Sequence, residues 1–76
     1  MRLQELMSVL NDKDVKKIKM VRIHELPSGA EIAVKSTHCT TLLFSISAEE
    51  RYKSIVEEVI PIRKGVIKIV TRYYIR

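Results

Sequence analysis

The sequence predicts a small single-domain α+β protein, 1–76, in the order αβββαβ, with two helices packed on one face of a mostly antiparallel sheet. Three observations carry that expectation. The chain has 76 residues, 46% of them apolar. Apolar residues recur at helical spacing in two stretches, near residues 3–10 and 52–60. The segments between and after those stretches are β-branched and alternate. A chain of this length builds one domain and buries only about 60–65% of its unfolded surface. Its apolar content excludes global disorder, which requires low hydrophobicity together with high net charge.

The first helix rests on Leu3, Leu6, Met7 and Leu10, at i, i+3, i+4 and i+7. About two turns are marginal alone, so this apolar stripe must dock on the rest of the domain. Asn11-Asp12-Lys13-Asp14 is a polar break that ends it. Residues 15–26 read as a strand in which Ile18 and Met20 share one face and Val21 and Ile23 the other. That change of phase predicts either a β-bulge or a strand covered partly on both sides. Leu26-Pro27-Ser28-Gly29 is a turn, with proline presetting φ and glycine supplying the left-handed conformation. The alternating Glu31-Ile32-Ala33-Val34-Lys35 completes a hairpin. A third strand is expected over Thr40 to Ile46.

Ser47-Ala48-Glu49-Glu50 has the form of a capping box, which predicts a helix carrying Tyr52, Ile55, Val56, Val59 and Ile60 on one stripe. Glu49 and Lys53 form an i,i+4 pair, and Pro61 ends the helix. Arg63-Lys64-Gly65 then turns the chain into a last strand, Val66 to Ile75. One face of that strand carries Ile67, Ile69, Thr71, Tyr73 and Ile75. The other carries Val66, Lys68, Val70, Arg72, Tyr74 and Arg76.

The formal charge of +5 is unevenly placed. Residues 47–61 sum to −2, whereas residues 62–76 sum to +5. A basic sheet face carrying a tyrosine can hold a phosphate backbone while the ring stacks a base. The candidates for such nucleic-acid contact are Arg63, Lys64, Lys68, Arg72, Tyr74 and Arg76, with Lys19 from the first strand. The same residues also suit a solvated face whose charges discourage edge-to-edge pairing. A third reading makes Val66, Val70 and Tyr74 a subunit interface rimmed by cations.

Catalytic chemistry finds little support. His38 and Cys39 are adjacent on an extended segment, so their side chains point apart, and no acidic residue is identified to orient His24 as a base for Cys39. The single cysteine excludes a disulfide framework, and His24, His38 and Cys39 fall short of a four-ligand zinc site. Gly29 and Gly65 are turn glycines, and no phosphate-binding loop is present. No apolar run reaches roughly 18 residues and no signal peptide opens the chain, which predicts a cytoplasmic protein without membrane contact. The expectation is a non-enzyme that needs no cofactor, no metal and no small-molecule ligand.

The opening Met1-Arg2-Leu3-Gln4-Glu5-Leu6-Met7-Ser8-Val9-Leu10-Asn11-Asp12 resembles the start of small phage and prophage proteins of unassigned function. Those begin with a Leu-x-x-Leu-x-x-Val-Leu helix and continue through a hairpin, a helix and a hydrophobic strand. The basic last strand departs from that pattern. The resemblance implies a phage accessory protein that acts by binding and brings no catalytic or ligand residues with it. The leading expectation is therefore a non-catalytic protein-interaction module that pairs with itself or with a host protein. A counter-defence inhibitor of a host nuclease complex is one version of it. The alternative is a nucleic-acid-binding accessory protein using the basic C-terminal strand.

Overall fold

The computed structural model describes residues 1–10, 15–38 and 46–75, with His38 described by its backbone alone. Two helices, α1 (Leu3–Val9) and α2 (Ala48–Lys53), accompany four strands: β1 (Lys17–Glu25), β2 (Glu31–His38), β3 (Ile55–Arg63) and β4 (Val66–Tyr74). The class is α+β, as the sequence predicts. The strands lie in the order β2-β1-β4-β3. Each edge strand is antiparallel to its central neighbour, while the central pair, β1 and β4, is parallel. It follows that β2 and β3 run parallel at opposite edges, and the stretch containing α2 carries the chain from one edge to the other.

The first hairpin forms where the turn signal stands. Gly29 takes a φ of 90°, its amide donates to the Leu26 carbonyl at 2.9 Å, and Leu26 N donates to Ala30 O at 2.8 Å. The pairing of β1 shows no shift in register near Met20. Of the two explanations for the change of phase, coverage on both sides is the correct one. Ile18 and Met20 are buried in the core, and Val21 and Ile23 are half-buried on the opposite face.

The helix predicted from the Ser47 cap to Ile60 is overturned after its first turn and a half. α2 ends at Lys53, and Ile55–Arg63 is an edge strand paired with β4. Ile55, Val56, Val59, Ile60 and Ile62 are all β-branched, a composition that favours a pleated strand over a helix. Lys64 and Gly65, with Gly65 at a φ of 79°, form a two-residue hairpin loop between two such runs. A shift in register at Glu57 inserts an extra residue, and that insertion produces the helix-like spacing of the apolar pairs. Pro61 is tolerated because β3 is an edge. The predicted third strand, 40–46, falls mostly outside the described residues. Ile46 itself sits at a bend and is buried in the core.

Both helices lie over one face of the sheet. Leu3 and Leu6 of α1 pack with Ile18, Met20, Ile46 and Ile69, and Met7, Leu10, Val15, Val56 and Ile67 complete the cluster. The N-terminus is tied to the end of α2 and the start of β3: Leu3 N donates to Ser54 O at 3.0 Å and Val56 N to Met1 O at 2.8 Å. In α2 the Ser47 hydroxyl accepts from Glu50 N at 3.2 Å, as a cap should. The Glu50 side chain does not reach back; it is buried and crosses to β1.

Candidate binding face

Register alone divides the strand residues between two faces. On the helix-covered face, β1 presents Ile18, Met20, Arg22 and His24, and β4 presents Ile67, Ile69, Thr71 and Tyr73. Arg22 and His24 converge on Glu50 of α2. Arg22 Nη1 donates to Glu50 Oε2 at 3.1 Å, and His24 Nε2 lies 3.1 Å from Oε1 without making a hydrogen bond. The Tyr73 ring meets His24 edge-on at 5.8 Å. Burial and the nearby Glu49 and Glu50 carboxylates push the Tyr73 phenol above its usual range. Glu49 in turn is held below the ordinary carboxylate range by its hydrogen bond to Lys53, 3.2 Å away, and by Tyr73. These groups fasten α2 to the sheet.

On the open face β1 presents Lys17, Lys19, Val21, Ile23 and Glu25, beside Val66, Lys68, Val70, Arg72 and Tyr74 of β4. No described helix covers it. The residues fall into three bands along the strands. At one end stand Lys17, Lys19 and Lys68, with Lys35 of β2 one residue pair further in. The middle holds Val21, Ile23 and Val70, all half-buried, with Ala33 beside Ile23 and the exposed Glu58 of β3 beside Val70. Ile60 and Ile62 of β3 are 39% and 43% exposed. At the far end Arg72 is enclosed by three carboxylates: it donates to Glu25 at 3.0 Å and Glu31 at 2.6 Å, and it pairs with Glu57. The Glu31 and Glu57 carboxylates raise the Arg72 guanidinium above even its ordinary value.

This arrangement regroups the residues singled out in the sequence. Lys19 and Lys68 are direct neighbours in register, and Arg63 and Lys64 lie at the same end, in the β3–β4 turn and its flank. Arg72 shares their face, but its charge is already answered three times over. Tyr74 is 45% exposed at the opposite end of β4, about 20 Å from Lys68 by strand rise. A base stacked on Tyr74 therefore lies far from the phosphates that the lysines could hold. Arg76 and Cys39 lie outside the described residues. Of the proposed interface residues, Val66 is buried, Val70 is half-buried and Tyr74 is exposed. Sequence reasoning missed Lys35, because its place beside the other lysines depends on β2 pairing with β1. It missed Glu25, Glu31 and Glu57 for the same reason.

Two concavities are lined by described residues. One, of about 500 Å³, lies on the lysine end and is lined by Lys19, Val21, Lys35, Thr37, Ile62 and Lys68. The other, of about 560 Å³, is lined by Arg2, Glu49, Lys53, Ile55, Tyr73 and Tyr74, among others, and its Glu49 and Lys53 are paired with each other. Among the described residues no group of three or more His, Cys, Asp or Glu is placed to hold a metal. No described helix is long and apolar enough to cross a membrane. No family model matches this chain, and no curated protein or solved structure matches it significantly.

Proposed function

We propose that this chain is a non-catalytic protein-interaction module that docks through the open face of its sheet, and that a second copy is its first partner. The observation carrying this is the apolar middle of that face, which no described helix covers. An α+β sheet buries one face under its helices and normally presents polar residues on the other. Here Val21, Ile23 and Val70 occupy the centre of the other face, flanked by exposed Ile60. An apolar centre inside a charged rim is the anatomy of an interface.

The ends of the face select a second copy and its orientation. Two copies can stack face to face with their strands running either the same way or oppositely. The first arrangement puts the lysines of one copy on those of the other. The second puts the lysine end over the carboxylate end, twice, as a two-fold interface requires. With the two-fold axis between the levels of Val21 and Ile23, Val21 of one copy meets Ile23 of the other, Lys19 meets Glu25, and Lys68 meets Tyr74. A module of this kind matches the binding role that the phage-like N-terminal segment implies, a host protein being the further partner.

Sedimentation velocity over a range of concentrations tests the reading. The wild-type protein is expected to sediment as a dimer at micromolar concentration, and Val70→Lys as a monomer with an unchanged circular dichroism spectrum. Val70→Lys places a charge at the centre of the interface, where each copy contributes one, and should weaken association at least tenfold. A wild-type protein that stays monomeric at high micromolar concentration contradicts self-association.

A further inference from the structure

We infer that the lysine end of the open face is a binding site for the phosphodiester backbone of nucleic acid, read without regard to base. Lys19, Lys35 and Lys68 come from three adjacent strands to line one concavity of about 500 Å³, and Lys17 stands two residues before Lys19 on the same face of β1. This goes beyond the protein-interaction reading and does not rest on self-association.

The first argument is the cost of the arrangement. Like charges placed side by side in a sheet are destabilising, and Lys19 and Lys68 are direct register partners. Lys35 lies diagonally across from Lys19 on the other side, since its own register partner is Val21. None of the four makes an ion pair among the described residues, whereas the single Arg72 at the other end is met by three carboxylates. Glu25, Glu31 and Glu57 gather on Arg72 at the far end, and Glu58, beside Val70 in the middle of the face, pairs with none of the lysines. A cluster kept unanswered in that way is suited to an anionic ligand.

The kind of cation present points to the kind of anion. Carboxylates are best recognised by the planar fork of arginine, while lysine acts as a mobile point charge and is a regular phosphate binder. The three cations that line the concavity are all lysines, while Arg63 stands outside it at the same end, beside Val66. Thr37 lines the same concavity and adds a hydroxyl that can donate to a phosphate oxygen. Among the described residues no aromatic side chain lines the concavity, and Tyr74 stands at the opposite end of the face. The site can therefore hold a backbone and cannot stack bases, so contact is independent of base identity. Because a second copy would cover the same lysines, nucleic acid and self-pairing exclude one another.

The test is fluorescence anisotropy with labelled 20-nucleotide oligo-dT and oligo-dA at 50–200 mM salt, with a polyglutamate peptide of similar charge as the competing anion. Both oligonucleotides are expected to bind equally. The logarithm of affinity should fall against the logarithm of salt with a slope of about −2 to −3, as three or four phosphate contacts to a single strand require. Lys19→Gln/Lys35→Gln/Lys68→Gln should bind at least tenfold more weakly, and Tyr74→Phe as tightly as wild type. The thermal melt of each variant confirms that it is folded. Undiminished binding by the triple variant overturns the site. A clear preference between oligo-dT and oligo-dA overturns the base-independent contact. Competition by polyglutamate at equal charge as effective as by unlabelled oligonucleotide overturns the phosphate assignment in favour of an acidic protein.

Discussion

Ile69→Ala should lower the stability of the domain by about 3–4 kcal/mol, a third or more of its margin. Ile69 is fully buried at the centre of β4, inside the cluster of Leu3, Leu6, Ile18, Met20 and Ile46. Truncating a buried isoleucine to alanine loses its transfer free energy and leaves a cavity, together about 2–5 kcal/mol. The site lies in the upper part of that range because a central strand paired on both sides has little freedom to collapse. A domain of this size carries a total stability of roughly 4–11 kcal/mol. Urea denaturation should show the midpoint falling sharply with an unchanged slope. The exposed Ile60→Ala on β3 should shift it by well under 1 kcal/mol. Equal effects at the two positions would place the core elsewhere.

Glu50→Ala is expected to be nearly as damaging, although it removes no core hydrocarbon. Glu50 is 7% exposed and serves Arg22 and His24 together. Removing one partner of a buried pair costs roughly 3–5 kcal/mol, because the other charge is left in a poor environment. About a fifth of the Arg22 side chain reaches solvent, which brings the expectation to about 3 kcal/mol. Glu50→Gln should recover part of the loss, since its amide oxygen can still accept from Arg22. Arg22→Met, which removes the cation and keeps the stem, should soften the effect of Glu50→Ala when the two are combined. Additive losses in that double-mutant cycle would mean that Arg22 and Glu50 do not interact.

The contrast between Ile69 and Glu50 also marks what could be read from the amino acids. The core stripe of α1, the first hairpin and the two faces of β4 follow from periodicity and turn chemistry, which act over a few residues. The Ser47 cap and the Glu49–Lys53 pair are local in the same sense. Residues 55–60 fit a helical period as well as a bulged strand, because their paired apolar residues are separated by Glu57-Glu58. The β-branched run and the two-residue Lys64-Gly65 loop were the signals on the strand's side. Glu50 was read as a capping residue because its true partners, Arg22 and His24, are some 26–28 positions away. The binding face was hidden for that reason too. Counting charge on β4 alone grouped Lys68 with Arg72, whereas pairing with β1, β2 and β3 joins Lys68 to Lys19 and Lys35 and surrounds Arg72 with carboxylates.

The parallel pairing of β1 with β4 fixes which residues share the open face. It places a band of lysines at one end and a carboxylate cluster at the other, with valine and isoleucine between them. The central claim is that two copies meet across this face with their strands reversed. Zero-length cross-linking of a mixture of unlabelled and ¹⁵N-labelled protein, read by mass spectrometry, tests it most directly. Lys19 and Glu25 are six residues apart on one strand, about 20 Å, so no such cross-link can form within a chain. The account predicts a Lys19–Glu25 link carrying both isotope labels, lost in Val70→Lys. A dimer whose mixed-label links join lysine-end residues only to α1 or α2 would contradict it, as would a mixture that yields no links between chains.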